Sequence, residues 1–437
     1  MTDARTAFIT AATWHGYLDE ADSLLATHPG LAAADIHTAA ITGNASAVKA
    51  FLAADPASAD SISAPYGGTP LVYLCMSKYL RFDVERSPEF LDAAQALLDA
   101  GADACAGFWT AGDKPEFETA LYGAAGVAHN AGLTRLLLAY GADPNDGEAT
   151  YHSPEGYHNA AMEALVETGR LTPESLAVML IRKLDWHDEN AVEYLLAQGA
   201  DPNFAWRGSH SILHHALDRS NGLVFFEFLL EYGADPTQVR QGISFASHAA
   251  REGRKDVLGL LEIRDQPLDF HGVDKLIAAC AAGYADAVRK IAKDLPGSRE
   301  ELLSMGGDLL ARFCLNGNEA GVRRLLELGV DANTPFVSGD IYFDIPKDSL
   351  AIHVAAWLGY PNIVKLLLAN GSRVDTPDAK GRTPLSLAVK ACVASYWMRR
   401  RTPESVQALL EAGASARGIS LPTGYTEIDE LLQAAAS

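Results

Sequence analysis

Between Tyr151 and His158 the chain reads YHSPEGYH, which packs Tyr151, His152, Glu155, Tyr157 and His158 into eight positions. These are residue types that hold metals and move protons. Metal binding is the first chemistry to weigh, and the spacing argues against it. In His152-x-x-Glu155-x-x-His158 the histidines lie six apart, whereas a helical zinc pair needs them four apart on one face. Pro154 and Gly156 also oppose a rigid helix carrying three ligands. Neither a metal nor a cofactor is expected. Acid–base chemistry needs further acids, and two long segments offer them. GADACAGFWTAGDKPEFET (101–119) carries Trp109 and Glu118, and GVDANTPFVSGDIYFDIPKDS (329–349) carries Tyr342, Asp344, Lys347 and Asp348. A shorter segment at 199–211 adds Trp206 and Arg207. Paired carboxylates beside aromatic platforms suit acid–base work on a small, sugar-like substrate. Asp344, Asp348, His152 and Glu118 are the groups that would carry it.

The elements that position these residues are repeats. LLDAGADAC (97–105), LLLAYGADPN (136–145), YLLAQGADPN (194–203), FLLEYGADPT (228–237), LLELGVDAN (325–333), LLLANGSRVD (366–375) and LLEAGASAR (409–417) are one motif. Between them runs a second, seen in GGTPLVYL (67–74), ETALYGAAG (118–126), SILHHAL (211–217), AIHVAAWLG (351–359) and GRTPLSLAV (381–389), with DIHTAAITG (35–43) a weaker copy. Thr or Ser caps an inner helix and Pro fits its first turn. Alanines let two helices approach closely. Leucines of an outer helix fill the gap, and the following Gly supplies a left-handed position. Asp-Pro-Asn then turns the chain outward into a finger.

The two motifs together resemble the ankyrin repeat family over nearly the whole chain. The resemblance implies an all-α solenoid of about eleven or twelve helix pairs with extended finger loops. Inner helices are expected near 6–14, 35–42, 69–80, 119–128, 154–160, 172–184, 211–219, 244–251, 273–281, 305–315, 349–357 and 383–396. A capping helix is expected near 425–435. Residues 1–240 hold the N-terminal repeats, 241–300 the most degenerate ones, and 301–437 the C-terminal repeats and cap. Ser87-Pro88-Glu89, Ser153-Pro154-Glu155, Thr172-Pro173-Glu174 and Thr402-Pro403-Glu404 all read as helix starts, which makes Glu155 a helix-start residue. Asp185 or Asp188 is expected to cap an outer helix. The resemblance gives His37, His214 and His353 a structural role, hydrogen bonding between neighbouring repeats.

Composition narrows the function. The formal net charge is −21, so this acidic chain repels polyphosphate and nucleic acid is not expected as a partner. No apolar run is long enough for a membrane helix. Five scattered cysteines without a C-x-x-C read as reduced thiols, and a cytoplasmic location is expected. The resemblance implies a scaffold that recognises a partner protein through its finger loops and concave face. The binding residues would be Trp109, Glu118, Tyr151, His152, Tyr157, Trp206, Arg207, Tyr342, Asp344, Lys347 and Asp348. The alternative is an enzyme or binder of a small polar ligand that uses the same residues in a closed pocket. Repeats stack at about 10 Å, so the 329–349 finger would lie about 40 Å from His152 in a straight array. That alternative therefore needs strong curvature.

Overall fold

Local capping explains where most helices begin. Thr69, Thr119, Thr172, Ser211, Ser244 and Thr383 each accept a hydrogen bond from the backbone N–H three residues on. Outer helices use Asn44, Asn130, Asp188 and Asn318 in the same way. The seven motif glycines, Gly101 through Gly413, all hold φ between 80° and 102°. A side chain with a Cβ is strained there, so each outer helix stops at its Gly.

The computed structural model describes residues 3–205 and 211–436. Among them, twelve inner helices are each followed by an outer one. The inner helices are Ala4–Ala12, Ile36–Ile41, Pro70–Cys75, Ala120–Tyr122 continued by Gly123–Val127, Gly147–His152, Pro173–Asp185, Ile212–Asp218, Phe245–Arg251, Asp274–Ala282, Gly306–Leu315, Ala351–Trp357 and Pro384–Val393. Thr426–Ala436 closes the array. The only strands among the described residues form two short finger hairpins, Gly107–Trp109 with Phe117–Thr119 and Val239–Arg240 with Ile243–Ser244. The fold is an all-α solenoid, and residues 241–300 carry regular helix pairs. The chain falls into two compact units, Met1–Trp206 and Arg207–Ser437.

Each unit has a continuous apolar core. In the first, Phe8, Ile9, Leu71, Leu97, Leu137, Met162 and Leu195 are fully buried. In the second, Phe226, Phe245, Phe313, Leu325, Leu367 and Leu409 are. Polar links join neighbouring repeats. Asn145 Nδ2 donates to the Arg170 carbonyl (3.1 Å) while its Oδ1 accepts from Thr172 N–H (2.7 Å). Asn333 does the same toward Gly371 and Arg373. His37 and His353 bond through Nε2 to the carbonyls of Ser61 (2.8 Å) and Thr376 (2.7 Å) in the next finger. His214 reaches Gln238 likewise (3.3 Å), and its Nδ1 meets Nδ1 of His248 at 2.8 Å. Burial, aided by the charge of His248, pushes His214 down to about 4. His248 is the charged partner: burial opposes its charge, but Asp218 and Glu252 outweigh that and raise it. Arg240 also grips Asp218 (2.6 Å), and Arg312 grips Glu252 (3.0 Å).

Three local expectations need correction. The fifth inner helix is Gly147–His152, not 154–160. Asp146 caps it by accepting from Glu148 and Ala149, and Pro154 prevents its continuation. Glu155 is therefore a loop residue past the helix end. The helix expected over 69–80 breaks at Met76, and Ser77 starts a second one, Lys78–Phe82. Ser87 lies inside the first turn of Ser87–Asp99, one position later than the cap expected of it. Asp188 does cap its outer helix, accepting from Ala191 N–H (3.2 Å).

Leu367 is fully buried, while Leu366 beside it is half-buried. Leu367→Asp is expected to destabilise the second unit by about 3–5 kcal/mol, because it strands an unpaired charge in the core. Leu366→Asp should have less than half that effect. Chemical denaturation followed by circular dichroism checks both, and equal effects would contradict this packing.

Candidate functional site

The hairpin Gly107–Trp109/Phe117–Thr119 has two faces because side chains alternate along a strand. Phe108 and Glu118 are cross-strand partners and both are buried. Trp109 and Phe117 are the next partners, and both are exposed, at 65% and 37%, with ring centroids 5.0 Å apart. The buried face meets the end of the first inner helix, where Trp14 packs edge-on against Phe108 (5.4 Å) and Tyr66 (5.6 Å).

Glu118 is 4% exposed, and its Oε2 has no hydrogen-bond partner. Burial raises its pKa, and the charges of Glu148, Glu116 and Asp146 add to the effect against that of His152, so it is pushed up to about 7. Tyr122 lies one helical turn beyond. Burial pushes its phenol up to about 12, with Glu118, Glu148 and Glu155 contributing and Trp14 opposing. The inner helix opens into a π-helical turn at Gly123–Val127, a local widening often found at functional sites. Gly126 lies so close to His152 that an added Cβ would come 2.7 Å from that of His152.

His152 is held on both ring nitrogens, by Glu148 (3.3 Å) and Glu155 (3.0 Å). Burial disfavours its charge, but these two carboxylates outweigh burial and lift it to about 9. Arg182 bonds Glu155 (2.7 Å) and Asp185 (2.6 Å) and stacks over Tyr151 at 4.3 Å. His152 is thus an imidazolium locked between acids. At neutral pH it has no lone pair to act as a base.

The structure brings Glu118, Tyr151 and His152 into one cluster of the first unit. Tyr157 is exposed and packs edge-on against Trp186. Tyr342, Asp344, Lys347 and Asp348 belong to the second unit. There Asp344 is ion-paired with Lys380 and with Arg382 (2.6 Å), and these contacts hold its carboxyl below its ordinary range against a burial effect. It ties one finger to the next. Asp348 and Lys347 are exposed, and Tyr342 stacks under Arg219 (4.6 Å). Trp206 and Arg207 lie outside the described residues. Among the described residues no group of three or more His, Cys, Asp or Glu is placed to hold a metal ion, and no helix is long and apolar enough to cross a membrane.

Sequence reasoning passed over Trp14, Tyr122, Glu148 and Arg182. One signal was present: Tyr122 stands where the Thr-Pro-Leu-His motif places His. The pH dependence of stability tests the cluster. Folded Glu118 holds its proton to about 7 against an ordinary 4.5, so stability falls as pH rises across that window. The loss is about 3 kcal/mol. Folded His152 contributes stability below its ordinary 6.5 that is lost as pH rises to about 9. Glu118→Gln should remove the first decline and keep the second. Denaturation midpoints measured between pH 4 and pH 10 check this, and an unaltered acid-side decline would refute the assignment.

Residues 275–417 match, over two overlapping stretches, a family model described as ankyrin repeats in three copies. A serine/threonine-protein kinase 12 of Arabidopsis thaliana is 33% identical over 108 residues, 24% of this chain and 22% of that protein. A putative ankyrin repeat protein of Rickettsia bellii is 33% identical over 113 residues, 22% of this chain and 44% of that protein. The chain thus spans less than half the length of either relative. The human ASB11 ankyrin repeat domain aligns at 20% identity and a TM-score of 0.24, covering 54% of this chain and 98% of that one. Ankyrin repeats generally serve as scaffolds for protein–protein interaction. Residues 275–417 are thus similar to ankyrin repeats, and capped inner helices, left-handed glycine stops and cross-finger His and Asn bonds recur in the rest of the described chain.

Proposed function

We propose that the protein binds a partner protein through its finger loops, with the outer face of the 107–119 hairpin as the main contact of the first unit. The exposed Trp109–Phe117 pair carries this reading. A large aromatic pair left in solvent on a rigid two-stranded finger is characteristic of an interface anchor. A groove of about 270 Å³ lies beside it, lined by Ala104, Phe117, Leu121 and Ala142 together with Asp143 and Asp146. That volume suits one or two apolar side chains, and its acids favour a basic neighbour on the partner. The second unit offers a separate apolar finger tip, where Ile341 is 98% exposed beside Tyr342. The net charge of −21 favours a partner with a basic surface and predicts binding that weakens with salt.

Isolation of the partner complex from native extract, followed by calorimetry with the purified partner, tests the reading. Trp109→Ala with Phe117→Ala is expected to weaken binding about a hundredfold, as loss of an aromatic anchor does. The melting temperature should be unchanged, because both side chains are exposed. Undiminished affinity of the double variant would exclude this face as the interface.

A further inference from the structure

We propose that the inner face of the same hairpin is a separate binding site for an organic cation, a primary ammonium on an alkyl stem, received by the Glu118 carboxylate beside Trp14 and Tyr122. One buried acceptor there, Oε2 of Glu118, lacks a hydrogen-bond partner, while the indole N–H of Trp14 is directed to the Tyr122 phenol. Trp14 packs on Phe108, the cross-strand partner of Glu118, and approaches Tyr122, whose phenol senses the charge of Glu118. The unpartnered acceptor is therefore flanked by aromatic rings. Aromatic faces with a carboxylate are the surroundings that favour a cation.

The charges around it point the same way. Glu116, Asp146, Glu148 and Glu155 face the cluster with Glu118 itself, against the cations of His152 and Arg182. His152 is fully engaged by Glu148 and Glu155, and Arg182 by Glu155 and Asp185. Neither cation reaches Glu118 with a hydrogen bond. A buried carboxylate in this field holds its proton up to about pH 7 unless a cation joins it, so cation binding at or below that pH should release a proton. The ammonium could belong to a free amine or to a lysine of a bound protein, and its chemistry is the same in both. The site does not depend on the outer-face contact, because Trp109 and Phe117 point the other way.

Calorimetry of the full chain at low salt tests it, with n-butylammonium as the free amine, Nα-acetyl-lysine methylamide as the protein-like source, and n-butanol as a neutral control. Both cations are expected to bind one to one at pH 8.5, with n-butanol at least about tenfold weaker. Between pH 8.5 and 5.5 the affinity should fall about tenfold or more, as Glu118 regains its proton. His15, lowered from its ordinary value by burial and by the charges of Lys78 and His152, also lies near, and Glu118→Gln separates its titration from that of Glu118. That variant should bind at least about tenfold more weakly at pH 8.5 and lose the pH dependence. Trp109→Ala should bind as the parent does. Tighter binding of the capped lysine assigns the site to a partner's side chain, and tighter binding of butylammonium assigns it to a free amine. If neither cation binds, or n-butanol binds equally, the orphan Oε2 of Glu118 is met by water alone and the proposal fails. The pH and butanol comparisons use the unmodified protein, so a misfolded variant leaves them decisive. Undiminished partner binding by the Trp109→Ala, Phe117→Ala variant, with cation binding retained, would sink the proposed partner contact and leave this site standing.

Discussion

Within each unit no helix pair can bury its apolar face by itself, so each repeat depends on a neighbour pressing against it. That requirement accounts for the small residues. An added Cβ at Gly123 would come within 2.9 Å of Cys75 in the preceding inner helix, and one at Gly321 within 2.6 Å of the Phe313 ring. Neighbouring layers touch almost backbone to backbone, and the larger side chains fill what remains. The fingers inherit their spacing from this contact, since each begins at the glycine that stops an outer helix.

The solenoid was legible in the sequence because its punctuation is local. A capping Thr or Ser and a glycine stop act within one turn of helix, and both survive as residue types. Asn145 and Asn333 were legible only as turn formers. Their bonds to the following finger depend on stacking, which no local pattern encodes. The fifth repeat failed for a related reason. Ser153-Pro154-Glu155 has the composition of a helix start, and the equivalent Thr172-Pro173-Glu174 does start one. What differs is Asp146, which had already capped a helix seven residues earlier, so the proline arrives as a stop.

The candidate site was half legible. Glu118 and His152 attracted attention for their chemistry, and they do share a cluster. Its meaning was hidden in residues of other repeats. Glu148 and Glu155 turn His152 from a base into a fixed cation, and Trp14 arrives from more than one hundred residues away. Asp344 shows the opposite error. An acid on a long finger resembles a catalytic group until Lys380 and Arg382 of the next finger are seen to hold it.

Two imidazoles that meet nitrogen to nitrogen, as His214 and His248 do, cannot both offer a proton or both a lone pair. His214 spends its Nε2 proton on the Gln238 carbonyl, so the hydrogen between the rings rides on His248. His248, with a proton on each nitrogen, donates to His214 on one side and to Asp218 on the other, so the row runs outward from one cation to two acceptor ends. Gln238 O and Asp218 can only accept, so no member of the row can reverse, and this part of the second unit carries a polar spine of one fixed sense alongside its greasy one.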